Sequence, residues 1–289
     1  MILQNDKMVE AMKLVLVLVL CVTVVQSLEW AKLKRHYETR PILRQRPSDV
    51  DSRIIGGTIA RRHQFPHHVG VVLDRVGFCS GSHIAPNIVI TVAHCARGAS
   101  IFDVIFGAQN IDYSDEPDRQ EVRTTDVTMH PDWNYNMINN DIAVLVLPVP
   151  VSGTGVAPAL VPRWSQQSET FLGQMATVSG WGKVSNAGGS SSELRYVNLT
   201  VISNSECFLT FGDLINESKL CVDTEGGIVG VCGGDSGGPL VVYEQDGQPC
   251  QIGIVSFGGD GCESGEPAVF TRLTSYLGWL ETFGVTVRP

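Results

Sequence analysis

The stretch CGGDSGGPL (Cys232–Leu240) sets one hydroxyl, Ser236, among four glycines with a carboxylate beside it. Glycines gather either in flexible linkers or where bare backbone must come close to another molecule. A serine hydroxyl is a weak nucleophile until a base takes its proton, and histidine is the usual base at neutral pH. The chain has seven histidines and the last is His130, so any histidine partner precedes the serine. His94 is the best placed, in ITVAHCA (Ile90–Ala96), at the end of an apolar run and next to Cys95. A third group must orient the imidazole and stabilise its cation. Asp141 opens the run NDIAVL (Asn140–Leu145), where a carboxylate without a partner is costly to bury. Taken singly, His94 reads by default as a packed core histidine, and Asp141 reads equally well as a turn or capping residue.

The order of these residues excludes other chemistries. Gly234–Gly238 also satisfies G-x-S-x-G, but that elbow needs a histidine after the serine, and none follows Ser236. The order acid, histidine, serine lacks an acid in a suggestive setting before His94. A pI near 5.2 argues against a nucleic-acid partner. No CxxC pair or histidine cluster near the cysteines points to a metal. Asp112, Asp115, Glu116, Asp118 and Glu121 have the composition of a calcium loop and are read as a solvated acidic loop. No metal or cofactor is expected.

The elements that must position these groups begin after a leader. Leu14–Val25 is an apolar run of 12 residues, too short for a bilayer span of roughly 20, and suits a secretory signal ending at Ser27. The acidic lead-in Met1–Glu10 suggests that translation starts at Met8 or Met12. Residues 28–53 carry seven Lys/Arg against four Asp/Glu, whereas residues 54–289 carry twelve against twenty-four. A basic segment therefore precedes an acidic domain, as a detachable leader would. Seven cysteines remain after the signal, and an oxidising compartment should pair six of them. Beyond Ile54 the apolar runs are short and rich in Val and Ile: HVGVVL, NIVITVAH, DVIFGA, DIAVLVL, MATVSGWG, LVVY and QIGIVSFG. Separated by glycine, proline and polar clusters, they predict an all-β sandwich or barrel. Leu273, Tyr276, Leu277 and Leu280 recur at helical spacing and predict a closing helix over Leu273–Phe283. Val149–Pro162 reads as a connector between two β halves.

AHC, NDIAVL and GDSGGPL, in that order, resemble the chymotrypsin-type (trypsin-like) serine peptidases. Ile54-Ile55-Gly56-Gly57 after Arg53, Gly180-Trp181-Gly182 and Ser256-Phe257-Gly258 agree, so the resemblance covers Ile54–Pro289. It implies two packed antiparallel Greek-key β-barrels, about 54–160 and 161–289, with a C-terminal helix. It implies a secreted, extracellular endopeptidase in which Ser236 attacks the scissile carbonyl, His94 moves the proton and Asp141 holds the His94 tautomer. The N–H groups of Gly234 and Ser236 would form the oxyanion hole, and Ser256 would hydrogen-bond Asp141.

The resemblance also implies a switch. Cleavage after Arg53 frees the amine of Ile54 to pair with Asp235, so a trypsin-like protease is the expected activating partner. Implied disulfides are Cys79–Cys95, Cys207–Cys221 and Cys232–Cys262, with Cys250 left over in a hairpin loop as a free thiol or an intermolecular bridge. The pocket would comprise Gly230 at its base with Val231, Ser256, Phe257, Gly258 and Ala268. An uncharged pocket favours bulky aromatic, Leu or Met side chains, with an elastase-like taste for small aliphatics as the rival. Arthropod collagenolytic relatives share the glycine base but carry an acid where this chain has Ala268. Expected partners are peptide or protein substrates and serpin-type or other protein inhibitors, acting on a monomer with no membrane attachment. An inactive homologue serving as a binding module is the alternative from another class. Asn198 and Asn216 lie in glycosylation sequons.

Overall fold

The seven apolar runs all become strand, because alternate or continuous β-branched residues suit a pleated surface buried on at least one face. The structure is a computed structural model that describes residues 54–289; the expected signal, the leader and Arg53 lie outside the described residues. The chain runs through β1 (Thr58–Ile59), β2 (His68–Leu73), β3 (Gly77–Ala85), β4 (Ile88–Thr91) and the single-turn helix α1 (Ala93–Ala96). Next come β5 (Phe102–Phe106), β6 (Gln120–Thr124), β7 (Val127–Met129) and β8 (Ala143–Val146). The second half has β9 (Met175–Gly180), β10 (Arg195–Ile202), α2 (Asn204–Phe211), β11 (Lys219–Val222), β12 (Pro239–Tyr243), β13 (Pro249–Phe257), β14 (Ala268–Arg272) and α3 (Leu277–Glu281).

Two antiparallel sheets result. One has the order β6-β5-β2-β3-β4-β8-β7 and curls as a half-barrel. The other has the order β1-β10-β11-β14-β13-β12-β9, and β9 also pairs with β10, closing six strands into a barrel. The fold is therefore the all-β pair expected from the sequence. The division at about residue 160 needs one correction: β1 joins the second barrel, with Thr58 opposite Tyr196. The expected closing helix begins as a 3-10 turn over Leu273–Tyr276 and becomes α-helical only at Leu277.

Each half has its own core: Val71, Val89, Phe102 and Leu145 in the first, Val178, Leu199, Leu240 and Phe270 in the second. A third cluster joins Ile90, Val92 and Ile142 to Ile254, Leu277 and Leu280, so the C-terminal helix packs across the seam. Val92 and Ile142 of this cluster stand within two residues of His94 and Asp141 in the chain, and Ile254 stands two before Ser256. Among the described residues, no helix is long and apolar enough to cross a membrane.

Three histidines are part of this packing. His67, His68 and His83 are buried, as packing histidines should be. His68 bridges the halves, its Nδ1 2.9 Å from Ser179 Oγ and its Nε2 3.3 Å from Ser80 Oγ. Burial, with His83 nearby, lowers the pKa of His67 from 6.5 to about 4, and burial with His67 nearby lowers that of His68 to about 3. Unfolded, both take up protons below about pH 6.5; folded, they stay neutral well below that. The unfolded chain thus binds more protons in this window, so stability is full above it and falls as the pH drops. Denaturation midpoints should decline steadily from pH 6.5 towards pH 4. His67→Leu, which leaves no broken hydrogen bond because neither ring nitrogen has a partner, should flatten that decline.

Candidate active site

Asp141 has no exposed surface, and its oxygens are fully engaged. Oδ1 accepts from the backbone N–H of His94 at 2.9 Å, and Oδ2 accepts from His94 Nδ1 at 2.8 Å. The Ser256 hydroxyl donates to Oδ2 at 2.6 Å, and Thr271 Oγ1 donates to the Asp141 carbonyl at 2.8 Å. Each donor comes from a different element: His94 from α1, Ser256 from β13 and Thr271 from β14. A carboxylate can only accept, so Nδ1 of His94 carries the proton and Nε2 is left as the base. His94 keeps 29% of its side chain exposed, enough to meet a substrate.

Ser236 is anchored beside this pair. Its carbonyl accepts from Ser80 N–H at 2.8 Å and lies 4.0 Å from Cys95 Sγ, on the residue after His94. Among the described residues no hydrogen bond joins Ser236 Oγ to His94. The N–H groups of Asp235, Gly237 and Gly238 donate to Cys232, Val255 and Asp235 carbonyls. Those of Gly234 and Ser236 have no acceptor among the described residues. Gly234 needs its freedom, with φ of 103° and only 3.0 Å between a would-be Cβ and the Cα of Gly182.

Asp235 is fully buried. Its oxygens accept from Gly182 N–H at 2.8 Å and Cys232 N–H at 2.9 Å. A Cβ on Gly182 would lie 2.4 Å from this carboxyl, so only glycine fits. Burial raises the Asp235 pKa from 3.8 to about 7, offset in part by those two N–H donors. No cation pairs with it among the described residues. Ile54 is fully buried in the second core, and the Ile55 carbonyl accepts from Gly230 N–H at 3.1 Å. The start of the domain is thus tied to the expected pocket base.

The residues expected to line the pocket fall on neighbouring segments. A Cβ on Gly230 would have ordinary contacts, Thr224 Cγ2 at 3.5 Å being nearest, and one on Gly258 would meet nothing within 4 Å. Ser256 and Phe257 end β13, and Ala268 opens β14. Ala268 belongs to the second core and Val231 packs against it. The three expected disulfides are present: Cys79–Cys95, Cys207–Cys221 and Cys232–Cys262.

Two expectations need correction. Cys250 lies inside β13, not in a hairpin loop, and is 1% exposed with its thiol pKa pushed up to about 12 by burial. A thiol so placed cannot bridge to another molecule while the domain is folded. The acidic loop is not wholly solvated either. Glu116 is buried, accepting from the N–H groups of Gln109 and Asn110 and from Arg62 at 2.8 Å. Among the described residues no acidic, histidine or cysteine cluster is arranged for a metal.

Comparison with known proteins decides the family. The family model described as Trypsin matches residues 54–280. The chain belongs to the trypsin family. A brachyurin from Leptuca pugilator is 39% identical over 231 residues, which is 79% of this chain and 97% of that protein. A chymotrypsin from Phaedon cochleariae is 34% identical, over 81% of this chain and 83% of the relative. A solved structure of HL collagenase superposes with a TM-score of 0.72 at 32% identity, covering 81% of this chain and all of the other. As a trypsin-family member the protein is a serine endopeptidase.

Sequence reasoning missed several groups around the Asp141 turn of this peptidase. Thr271 was one; Tyr276, whose hydroxyl donates to Asn140 Oδ1 at 3.1 Å, was another. Asn216, the sequon asparagine, has its Nδ2 engaged on Asn139 Oδ1 at 2.7 Å, whereas Asn198 is exposed on β10. Lys219, fully buried in KLCV, was passed over as well, although a lysine in an otherwise apolar run needs a reason.

Hydrogen bonds to charged groups contribute about 1.5–3 kcal/mol. Ser256→Ala should therefore lower kcat/KM on a peptide substrate by roughly tenfold or more, since RT ln 10 is about 1.4 kcal/mol. Ser256→Thr, which keeps the hydroxyl, should lose less.

Proposed function

We propose that this chain is a secreted zymogen whose mature form hydrolyses peptide bonds through His94, Asp141 and Ser236. The observation that carries the reading is the shared carboxylate: Asp141 fixes His94 through two bonds at 2.9 and 2.8 Å while Ser256 engages it from the opposite barrel. Nε2 of His94 then takes the Ser236 proton as Oγ attacks the scissile carbonyl, and delivers it to the leaving amine. The unengaged N–H groups of Gly234 and Ser236 would receive the oxyanion; one such donor contributes roughly 3–4 kcal/mol. Water repeats the sequence to release the acyl group.

Cleavage after Arg53 would free an amine at Ile54 for Asp235. The buried, unpaired carboxyl with its raised pKa supports this, because a cation delivered there would remove a desolvation cost. The pocket expected around Gly230 would carry no acid at its base and would be lined by Val231, Ser256, Phe257, Gly258 and Ala268. Burial of an apolar side chain, worth about 25 cal/mol per Å², then selects aromatic, Leu or Met residues before the cleaved bond. The likeness to HL collagenase favours a broader second reading, with collagen among the substrates.

A serine-directed phosphonate should label the processed wild type and not Ser236→Ala, whose peptide turnover should fall at least about a thousandfold. Absence of labelling would favour the binding-module alternative. Intact Arg53→Gln protein should stay inactive, and pure wild-type zymogen should not convert itself. A peptide library should rank Phe, Tyr, Leu and Met above Arg, Lys and Ala at the cleaved position; a preference for Ala or Val would transfer the assignment to the elastase-like reading.

A further inference from the structure

Lys219 enters the core from β11 with no exposed surface and no carboxylate partner among the described residues. Its Nζ donates to the backbone carbonyl of Ile138 and stands 5.6 Å from the centroid of the Phe257 ring. Ile138 belongs to the opposite half, in a tight hairpin closed by reciprocal backbone bonds between Asn134 and Asn139 at 3.0 and 3.1 Å. Asn134 Oδ1 accepts from the N–H groups of Asn136 and Met137 and fixes the hairpin's near side. Its far side is strained. Ile138 has φ of 50° and Asn140 φ of 55°. Asparagine tolerates the left-handed region, but a β-branched residue there is an outlier, and such residues cost on the order of 1–3 kcal/mol unless held. Three residues further on is Asp141.

We infer that Lys219 is a positioning residue: its ammonium pins the Ile138 carbonyl beneath Phe257, holds the hairpin in its strained conformation, and so presents Asp141 to His94. Two neutral bonds assist, Asn216 to Asn139 and Tyr276 to Asn140. Among the described residues it is the Lys219 side chain that bonds to the strained residue itself. Burying the ammonium depresses its pKa from 10.5 to about 8, with Asp141 opposing the shift, so the cation is retained at neutral pH at a real desolvation cost. A methionine or leucine would fill the same space without that cost, which argues that the charge has a task.

The inference rests on the proposed triad, and phosphonate titration separates the two. If processed wild type does not titrate, the triad reading fails first. If it does, kcat is measured per titrated site for Lys219→Met, Ile138→Gly and the double variant. Lys219→Met should lose about tenfold or more in kcat. The double variant, in which glycine accepts the left-handed backbone without a clamp, should recover most of that loss. Should Lys219→Met not accumulate as folded protein, Lys219→Gln is read the same way. Unchanged kcat per site with only a lowered unfolding temperature would overturn the assignment, as would a double variant no better than Lys219→Met.

Discussion

One buried negative charge organises this molecule. A carboxylate removed from water is tolerated only when its lone pairs are filled and a cation is within reach. Asp141 meets the first condition through His94 of α1 and Ser256 of β13, while Thr271 of β14 holds its backbone carbonyl, and the His94 ring is the nearest group that can carry the charge. Because the donors belong to both halves of the chain, the seam cannot open without leaving that charge unsatisfied. The cluster of Ile90, Ile142, Ile254 and Leu280 around the seam supplies the non-directional part of the same attachment.

A second buried carboxyl has the opposite status. Asp235 has two backbone donors and no countercharge among the described residues, and its raised pKa reports the deficit. The glycines at 180 and 182 leave space for the group and for nothing larger. The carboxylate oxygens of Asp141 are occupied by donors within the described residues, whereas Asp235 has no cation beside it there. At the start of the domain, the Ile55 carbonyl accepts from Gly230 N–H.

Much of this was legible in the sequence for identifiable reasons. Val- and Ile-rich runs gave their strands because period and composition agree. Strands β6, β10 and β14 were harder, since polar residues alternate along them or occupy them, and their identity is settled by neighbours distant in sequence. Helix α2 carried a readable start, Ser203 accepting from Glu206 N–H at its cap, but its apolar face is weak and the run was passed over. The triad, the pocket and the disulfides came through the family resemblance, because spacing alone leaves a histidine or an aspartate ambiguous. Lys219, Thr271 and Tyr276 could not be placed: each acts on a turn that approaches only in three dimensions.

The placement of β1 has a consequence for biosynthesis. The first strand of the domain leaves the ribosome well before β10, its one partner among the described strands, so its edge stays unpaired while the first sheet can already collapse around its own core. Closure of the second barrel, and with it the arrival of Ser256 and Thr271 at Asp141, waits for the last third of translation. A truncated or stalled product would therefore expose an uncompensated acid and an open strand edge, the features by which quality-control machinery distinguishes unfinished chains from finished ones.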